Sequence, residues 1–214
     1  MKIKAYDSGL LSSNMYIIEE NGHAVVIDPA PDTSPAEGLK VDLLIVTHEH
    51  YDHIAGVNAW KSAYGAPLMC SEACAVNLGD PRINQSRHFD VFCELQSWIK
   101  LDNIPVTDPE YTCSADKTFA DSAQFDWQGH RFRLVEIPGH SKGSIGIYLD
   151  EEIFFSGDSL LEGKEVELRL PGGSRKQWKE FGEPRINEVP AGTKIYPGHF
   201  GSYVLKKKSN EVSP

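Results

Sequence analysis

Three histidines and an aspartate stand within six residues in the first quarter of this 214-residue chain. The segment 47–53 reads Thr-His-Glu-His-Tyr-Asp-His and follows four apolar residues that predict a buried strand. On an extended backbone, side chains two apart point the same way, so His48 and His50 can present imidazoles to one metal ion. If a helix starts at Asp52, the side chains of Asp52 and His53 project from it in directions about 100° apart, and both can bind a second ion.

Three more candidate ligands, His140, Asp158 and His199, each follow a glycine where a predicted strand ends. Glycine leaves little bulk to hinder a metal, and strand ends on mixed α/β scaffolds are where loop-borne sites gather. Clustered histidines would repel one another once protonated, so a metal explains them better than packing does. Asp28 also ends a strand, and we interpret it either as a turn cap or as a carboxylate supporting a histidine ligand.

The elements that must position these residues alternate between strands and helices. Asn21-Gly22 and Gln128-Gly129 are typical of hairpin turns. Helices are predicted from Asp52 to Tyr64, after a Ser71 cap, and, partly broken, over 178–189. Residues 79–123 lack periodicity and predict an irregular insertion, either a lid over the site or a structural excursion. The predicted strands lie at residues 14–20, 23–28, 43–46, 66–70, 125–127, 132–137, 144–149, 153–155 and 193–196.

Composition narrows the function classes. With 40% apolar and 24% charged residues, the chain is typical of one globular domain over 1–214. No apolar run approaches the roughly 20 residues that span a bilayer, and the N-terminus lacks a signal-peptide pattern, so we expect no membrane association and a cytoplasmic location. The net charge of −10 disfavours nucleic acid as a partner and favours a small-molecule substrate. The four cysteines match neither a zinc knuckle nor a CxxC pair.

The segment 47–53 and the later glycine-flanked ligands resemble, in order, the ligand motifs of the metallo-β-lactamase fold superfamily. The resemblance covers nearly the whole chain. It implies an α/β (α+β) fold, a four-layer αββα sandwich of mixed sheets with metals at one edge. It also implies that His48, His50 and His140 bind one ion. The second ion would take Asp52, His53 and His199, and Asp158 would bridge the two.

Nitrogen and carboxylate ligands with open positions suit Zn²⁺ first, with Fe or Mn as alternatives. Two close cations would acidify a shared water to a hydroxide that attacks a carbonyl carbon. By the resemblance, Asp52 helps to orient the attacking oxygen and is the predicted catalytic residue. Tyr51 and Lys142 are candidate substrate contacts, with a packing tyrosine and a solvated surface lysine as the alternatives.

The motifs after Gly157 and Leu170 are similar to those of the small glyoxalase II-like hydrolases, which cleave thioesters such as hydroxyacylglutathione. Two features differ: the tail after His199 is shorter than the glutathione-binding helical domain of glyoxalase II, and Lys142 stands where proline is common. We therefore predict a metal-dependent hydrolase of a thioester or other small carbonyl ester, with substrate and oligomeric state left open. The alternatives are a mononuclear iron persulfide dioxygenase-like oxidoreductase, a lactonase, a phosphodiesterase disfavoured by charge, and a binding protein on a silent scaffold.

Overall fold

The computed structural model describes residues 1–95 and 107–206. Its strands form two six-stranded sheets whose strand order follows the chain. The first sheet holds β1 Lys2–Asp7, β2 Asn14–Glu20, β3 His23–Ile27, β4 Lys40–Ile45, β5 Leu68–Ser71 and β6 Lys117–Phe119. The second holds β7 Ser122–Trp127, β8 His130–Glu136, β9 Ile145–Leu149, β10 Ile153–Gly157, β11 Lys194–Pro197 and β12 Tyr203–Val204.

Short helices connect and cover the sheets. The α-helices are α1 Tyr51–Ile54, α2 Val57–Tyr64, α3 Glu72–Asn77, α4 Phe89–Glu94, α5 Arg175–Gln177 and α6 Glu183–Asn187. Two 3₁₀ turns, Ser34–Ala36 and Ser86–His88, and one π turn, Trp178–Gly182, complete the described helical segments. No helix within 1–95 and 107–206 is long and apolar enough to cross a membrane.

Both sheets are mixed, as predicted. In the first sheet, β1 to β3 pair antiparallel and β3 to β6 pair parallel. In the second, β7 to β10 pair antiparallel, β10 and β11 pair parallel, and β12 returns antiparallel. Parallel pairing requires a crossover between strands. The crossover from β4 to β5 carries the candidate ligands of segment 47–53, and the crossover from β10 to β11 carries Asp158. His140 and His199 lie in loops between antiparallel strands.

Three apolar layers confirm the four-layer sandwich. Alternate residues of one strand enter different layers, because successive side chains of a strand point to opposite faces. Ile17 packs with the helices on the outer face of the first sheet, whereas Ile18 packs between the two sheets. The outer face of the second sheet packs against Ile186 and Val189, in and just after α6. Two inner sheets covered by helices on both sides make the αββα arrangement.

The predicted helix over 52–64 is interrupted between α1 and α2. Gly56 donates its backbone N–H to Pro29 O at 3.0 Å, and a Cβ at Gly56 would lie 2.0 Å from Ala30 O. This close approach to the segment after β3 leaves no room for a side chain and explains the break. The Ser71 cap is confirmed, since its hydroxyl accepts a 3.1 Å hydrogen bond from Cys74 N.

The segment 79–123 is more regular than predicted. It contains α4 and β6, and β6 pairs parallel with β5 over three residues. A three-residue strand is too short to show a period of two, which is why the sequence pattern did not reveal it. Residues 96–106 of the predicted insertion lie outside the described part of the chain.

The candidate ligands meet at one edge of the sandwich, where the sheets are hydrogen-bonded to each other. Ile145 N donates to Thr47 O at 2.8 Å, and Asn14 N donates to Gly198 O at 2.7 Å. These bonds hold the segments that follow β4 and β11 against the opposite sheet.

Candidate metal centre

All seven predicted ligands come together at this edge. One group consists of ring nitrogens of His48, His50 and His140, and all three atoms lie within 4.8 Å of one another. A second group with the same spread consists of Asp52, His53 and His199. Asp158 lies between them, with Oδ2 3.5 Å from His140 Nε2 and 3.4 Å from His199 Nε2.

The spacing and the missing hydrogen bonds both fit metal ions. Ligand atoms bound about 2.0 Å from a tetrahedral zinc lie roughly 3.3 Å apart, which matches the inner contacts of the cluster. His48 Nε2, His53 Nε2 and Asp158 Oδ1 are buried without a hydrogen-bond partner among the described residues. Buried polar atoms are nearly always satisfied in native proteins, and cations between these groups would satisfy all three.

The outer nitrogen of each candidate histidine is hydrogen-bonded, and this selects the tautomer. Carbonyl and carboxylate oxygens only accept, so a neutral histidine facing one must donate and keep its lone pair on the inner nitrogen. His50 therefore offers Nδ1 inward and the others offer Nε2. The outer pairs are His48 Nδ1 with Thr47 Oγ1 (3.0 Å), His50 Nε2 with Pro171 O (3.1 Å), His53 Nδ1 with Asp28 Oδ2 (2.9 Å), His140 Nδ1 with Glu167 O (2.8 Å) and His199 Nδ1 with Leu11 O (3.1 Å).

Asp28 lies behind the cluster and contacts both ends of the segment 47–53. Its Oδ1 accepts from Thr47 N at 2.6 Å, and its Oδ2 accepts from Thr47 Oγ1 at 2.7 Å and faces His53 Nδ1. Because Thr47 donates its hydroxyl proton to Asp28, its oxygen is free to accept from His48 Nδ1. These contacts are those expected of a carboxylate that supports histidine ligands.

Charge within the cluster is uneven. Burial, with His140 alongside, lowers the pKa of His50 to about 3. Burial opposes protonation of His53 too, but Asp52, Asp158 and Asp28 outweigh it and raise its pKa to about 9. Asp158 and Asp52 likewise raise the pKa of His199 to about 11 against the effect of burial. The carboxylates thus demand positive charge, which either protonated histidines or metal cations can supply.

A cavity of about 970 Å³ opens over the cluster. Its lining is mainly apolar. Five of the candidate ligands line it: His50, Asp52, His140, Asp158 and His199. The other lining residues are the apolar Leu11, Phe89, Phe92, Leu161, Leu170 and Phe200 and the polar Ser12, Gln85, Lys164, Glu167 and Arg169. Since Gln85, Phe89 and Phe92 belong to the predicted insertion, that segment does contribute to the cavity.

A profile for the family described as "Metallo-beta-lactamase superfamily" matches residues 8–199. The chain belongs to the metallo-β-lactamase superfamily. Most of its length, including every candidate ligand, lies within the match. Members of this superfamily are usually hydrolases that bind divalent metals, which agrees with the His and Asp cluster at the sheet edge.

One curated superfamily relative is a hydroxyacylglutathione hydrolase of Prochlorococcus marinus. It is 27% identical over 197 residues, covering 86% of this chain and 64% of that protein. The chain therefore spans less than two thirds of this hydrolase.

Three solved structures share the superfamily fold. The BLEG-1 B3 metallo-β-lactamase superimposes with a TM-score of 0.77 at 24% identity, covering 95% of this chain and 94% of that one. ETHE1 from Myxococcus xanthus superimposes with a TM-score of 0.69 at 20% identity, and the match covers 95% of this chain and 80% of that one. TTHA1623 in a di-iron-bound form superimposes with a TM-score of 0.70 at 24% identity, and the match covers 96% of this chain and 95% of that one. At these identities the likeness shows the fold alone.

The two predicted substrate contacts are not at the superfamily site. Tyr51 is buried, its ring packs 5.0 Å from Phe89 and 5.4 Å from Tyr111, and its hydroxyl accepts from Asp108 N. Lys142 is exposed and lines a different, smaller cavity with Phe181. Neither residue lines the cavity over the cluster. Being next to a candidate ligand in sequence does not direct a side chain toward the cluster.

The sequence pattern missed Glu49, which stands between two candidate ligands and is 0% exposed. Its Oε1 accepts from Asn77 Nδ2 at 2.7 Å, and its Oε2 accepts from Ser141 Oγ at 2.8 Å. A Cβ at Gly143 would lie 2.5 Å from Oε2, so glycine is needed there. Glu49 thus ties the segment 47–53 to α3 and to the loop that carries His140.

Proposed function

We propose that this chain is a binuclear metal-dependent hydrolase that cleaves a thioester or another small carbonyl ester. The observation that best supports this is the pair of ligand groups, His48 with His50 and His140 on one side and Asp52 with its partners on the other. Three inner atoms of the cluster, His48 Nε2, His53 Nε2 and Asp158 Oδ1, lack a hydrogen-bond partner among the described residues. Other members of the cluster line a largely apolar cavity. Such a cavity suits a small-molecule substrate with an apolar acyl group.

The proposed cofactors are two divalent ions, Zn²⁺ first because mixed nitrogen and carboxylate ligands with open positions favour it. Iron and manganese are the alternatives, and the di-iron form of the structural neighbour TTHA1623 supports testing iron. When bound, such ions acidify a shared water and polarise a carbonyl oxygen.

Asp52 is the proposed catalytic carboxylate. Its Oδ2 lies 3.4 Å from both His53 Nε2 and His199 Nε2, and the residue borders the cavity while 93% shielded from solvent. Ser13 Oγ donates to Asp52 O at 2.7 Å and holds that backbone in place. From this position, Asp52 can orient the attacking oxygen and accept its proton.

Hydrolysis of a thioester needs little more from the protein. The water oxygen bonds to the acyl carbon, the carbon–sulfur bond breaks, and the thiolate takes the proton that Asp52 removed. A thiol of pKa about 8.5 leaves readily as its anion, so one carboxylate is enough for both proton transfers. Among the residues described as lining the cavity, no serine–histidine–aspartate triad competes with this route.

A second candidate function is a mononuclear iron oxidoreductase of the persulfide dioxygenase type. His48, His53 and Asp158 form a group of two histidines and one carboxylate within 4.8 Å. This is the ligand set typical of non-haem Fe(II) oxygenases. For either function, the proposed compartment is the cytoplasm, and the four free cysteines, Cys70, Cys74, Cys93 and Cys113, are consistent with a reducing one.

Elemental analysis combined with assays separates the two candidates. We expect about two metal ions per chain and cleavage of thioesters in a panel that also contains lactones. About one iron per chain, oxygen uptake with a persulfide and no ester cleavage would favour the oxidoreductase. A metal-loaded protein that turned over none of these substrates would contradict both.

A further inference from the structure

We propose that the thiol carrier of the substrate bears phosphate groups on a nucleotide, as coenzyme A does, and that a cationic groove beside the metal-centre cavity binds them. This inference rests on the proposed thioester hydrolysis and narrows its substrate class. The cationic groove encloses about 660 Å³ and is lined by residues from 165–169 and 175–179.

The groove carries more positive than negative charge in a chain whose net charge is −10. Glu165 and Glu167 are its two carboxylates. Its four cations are Arg169, Arg175, Lys176 and Lys179. A local excess of cations attracts an anionic ligand even when the protein as a whole is acidic.

Three of these cations are available to a ligand. Arg169 is held by Glu167 through hydrogen bonds of 2.9 and 2.7 Å. Arg175, Lys176 and Lys179 are exposed and have no acidic partner in the described part of the chain. Each arginine described outside the groove is paired with a carboxylate: Arg82, Arg87, Arg131, Arg133 and Arg185. An unpaired arginine beside two unpaired lysines is an arrangement suited to phosphate.

The groove and the metal-centre cavity share a wall. Glu167 and Arg169 line both. The backbone oxygen of Glu167 also accepts from His140 Nδ1 at 2.8 Å, so this wall is bonded directly to a candidate ligand. A substrate whose acyl group lies over the cluster can therefore extend its thiol carrier past Arg169 into the groove.

Trp178 adds an aromatic surface to the same groove. Its ring packs on Gly139 and Gly182, where a Cβ would lie 2.7 and 2.6 Å from Cε3. The half-buried indole also lines the groove beside Arg175 and Lys179. Nucleotide bases stack on aromatic rings that adjoin cations, so this surface suits a purine better than it suits the peptide carrier of glutathione.

The test compares three thioesters of one acyl group, carried by coenzyme A, by pantetheine and by glutathione, on the metal-loaded full chain. We expect kcat/KM to be highest for the coenzyme A ester and to fall more steeply with added salt for that ester than for the uncharged pantetheine carrier. The double variant Arg175→Gln/Lys176→Gln should lower the preference for the coenzyme A ester over the pantetheine ester by at least about fourfold. Lys117→Gln, on the exposed side of β6, is the matched control and should keep the preference.

Direct binding gives a second readout that needs no turnover. Calorimetric titration with 3′,5′-adenosine diphosphate should give saturable binding that weakens at least about fourfold in the double variant. Equal kcat/KM for the coenzyme A and pantetheine esters, or no binding of the nucleotide, would overturn the groove assignment and leave the thioesterase proposal intact. Nucleotide binding without cleavage of any thioester would instead contradict the proposed function while supporting the groove.

Discussion

Ser141 donates a 2.8 Å hydrogen bond to Glu49, and so joins the residue between His48 and His50 to the residue after His140. This bond is buried and spans 92 positions of sequence. It fixes the relative position of two segments that supply all three nitrogens of one candidate metal site. We therefore expect Glu49 to affect metal binding through the candidate histidines around it.

Glu49→Ala should weaken metal binding about 10- to 100-fold, the range typical of lost support behind ligands. The substitution leaves Asn77 Nδ2 and Ser141 Oγ without their acceptor. Glu49→Gln should retain most of the affinity, because its amide can accept from Asn77 and donate to Ser141. Competition with a chelator measures the metal affinity of both variants, at a temperature where both are folded. Equal affinity of Glu49→Ala and the unchanged chain would remove the positioning role.

Asp28→Asn should reduce occupancy of the site that contains His53 before it affects the other site. The Asp28 carboxylate faces three donors: Thr47 N, Thr47 Oγ1 and, when His53 is neutral with its proton on Nδ1, His53 Nδ1. The amide nitrogen of an asparagine cannot accept a hydrogen bond from any of them. The backbone of residue 28 is left-handed, with φ of 52°, a conformation that asparagine tolerates. Metal content should fall from about two toward one per chain, and retention of two would contradict the support role.

Removing the metals should lower stability without unfolding the sandwich. A ligand that binds only the folded state stabilises it by about 3 kcal/mol when its concentration is a hundred times its Kd. The apolar layers contain none of the candidate ligands, so the fold has its own core. Chelation should therefore lower the thermal midpoint while the far-ultraviolet circular dichroism at 25 °C stays unchanged. A midpoint insensitive to chelator and to added Zn²⁺ would argue against bound metal.

Cys113 should be nearly inert to alkylation near neutral pH. Burial raises the pKa of its thiol to about 12, so at pH 8 only on the order of one molecule in ten thousand carries the thiolate. Raising the pH from 8 to 10 should speed its reaction about tenfold per unit, because the thiolate fraction grows by that factor below the pKa. Mass spectrometry of iodoacetamide-treated protein measures the rate, with the denatured chain as control. Rapid labelling of the native chain at pH 8 would contradict the described burial.

That the candidate ligands meet at one edge was predictable from sequence, partly because each follows a predicted strand and partly because their order resembles the ligand motifs of the metallo-β-lactamase superfamily. Residues after buried strands and beside glycines must emerge at a sheet edge, and the cluster at 48–53 marked which edge. Glu49 was not predictable, since its partners Asn77 and Ser141 come from distant segments and neither belongs to a motif. Tyr51 and Lys142 were assigned from adjacency in sequence, and the structure directs one into the core and the other to a different surface.

Net charge was a poor guide to the surface around the site. The value of −10 averages over the whole chain, whereas the residues next to the metal-centre cavity include unpaired Arg175, Lys176 and Lys179. Local fields depend on which charges are paired, and pairing is a property of the folded chain.

The most direct test of a binuclear hydrolase is the metal content of the purified chain measured alongside its thioesterase activity, for the unchanged sequence and for His50→Ala. We predict about two divalent ions per chain with thioester cleavage, and for His50→Ala a loss of metal and of turnover with the sandwich still folded. Unchanged metal content in His50→Ala, or thioester cleavage that persists after the metals are removed, would contradict the assignment.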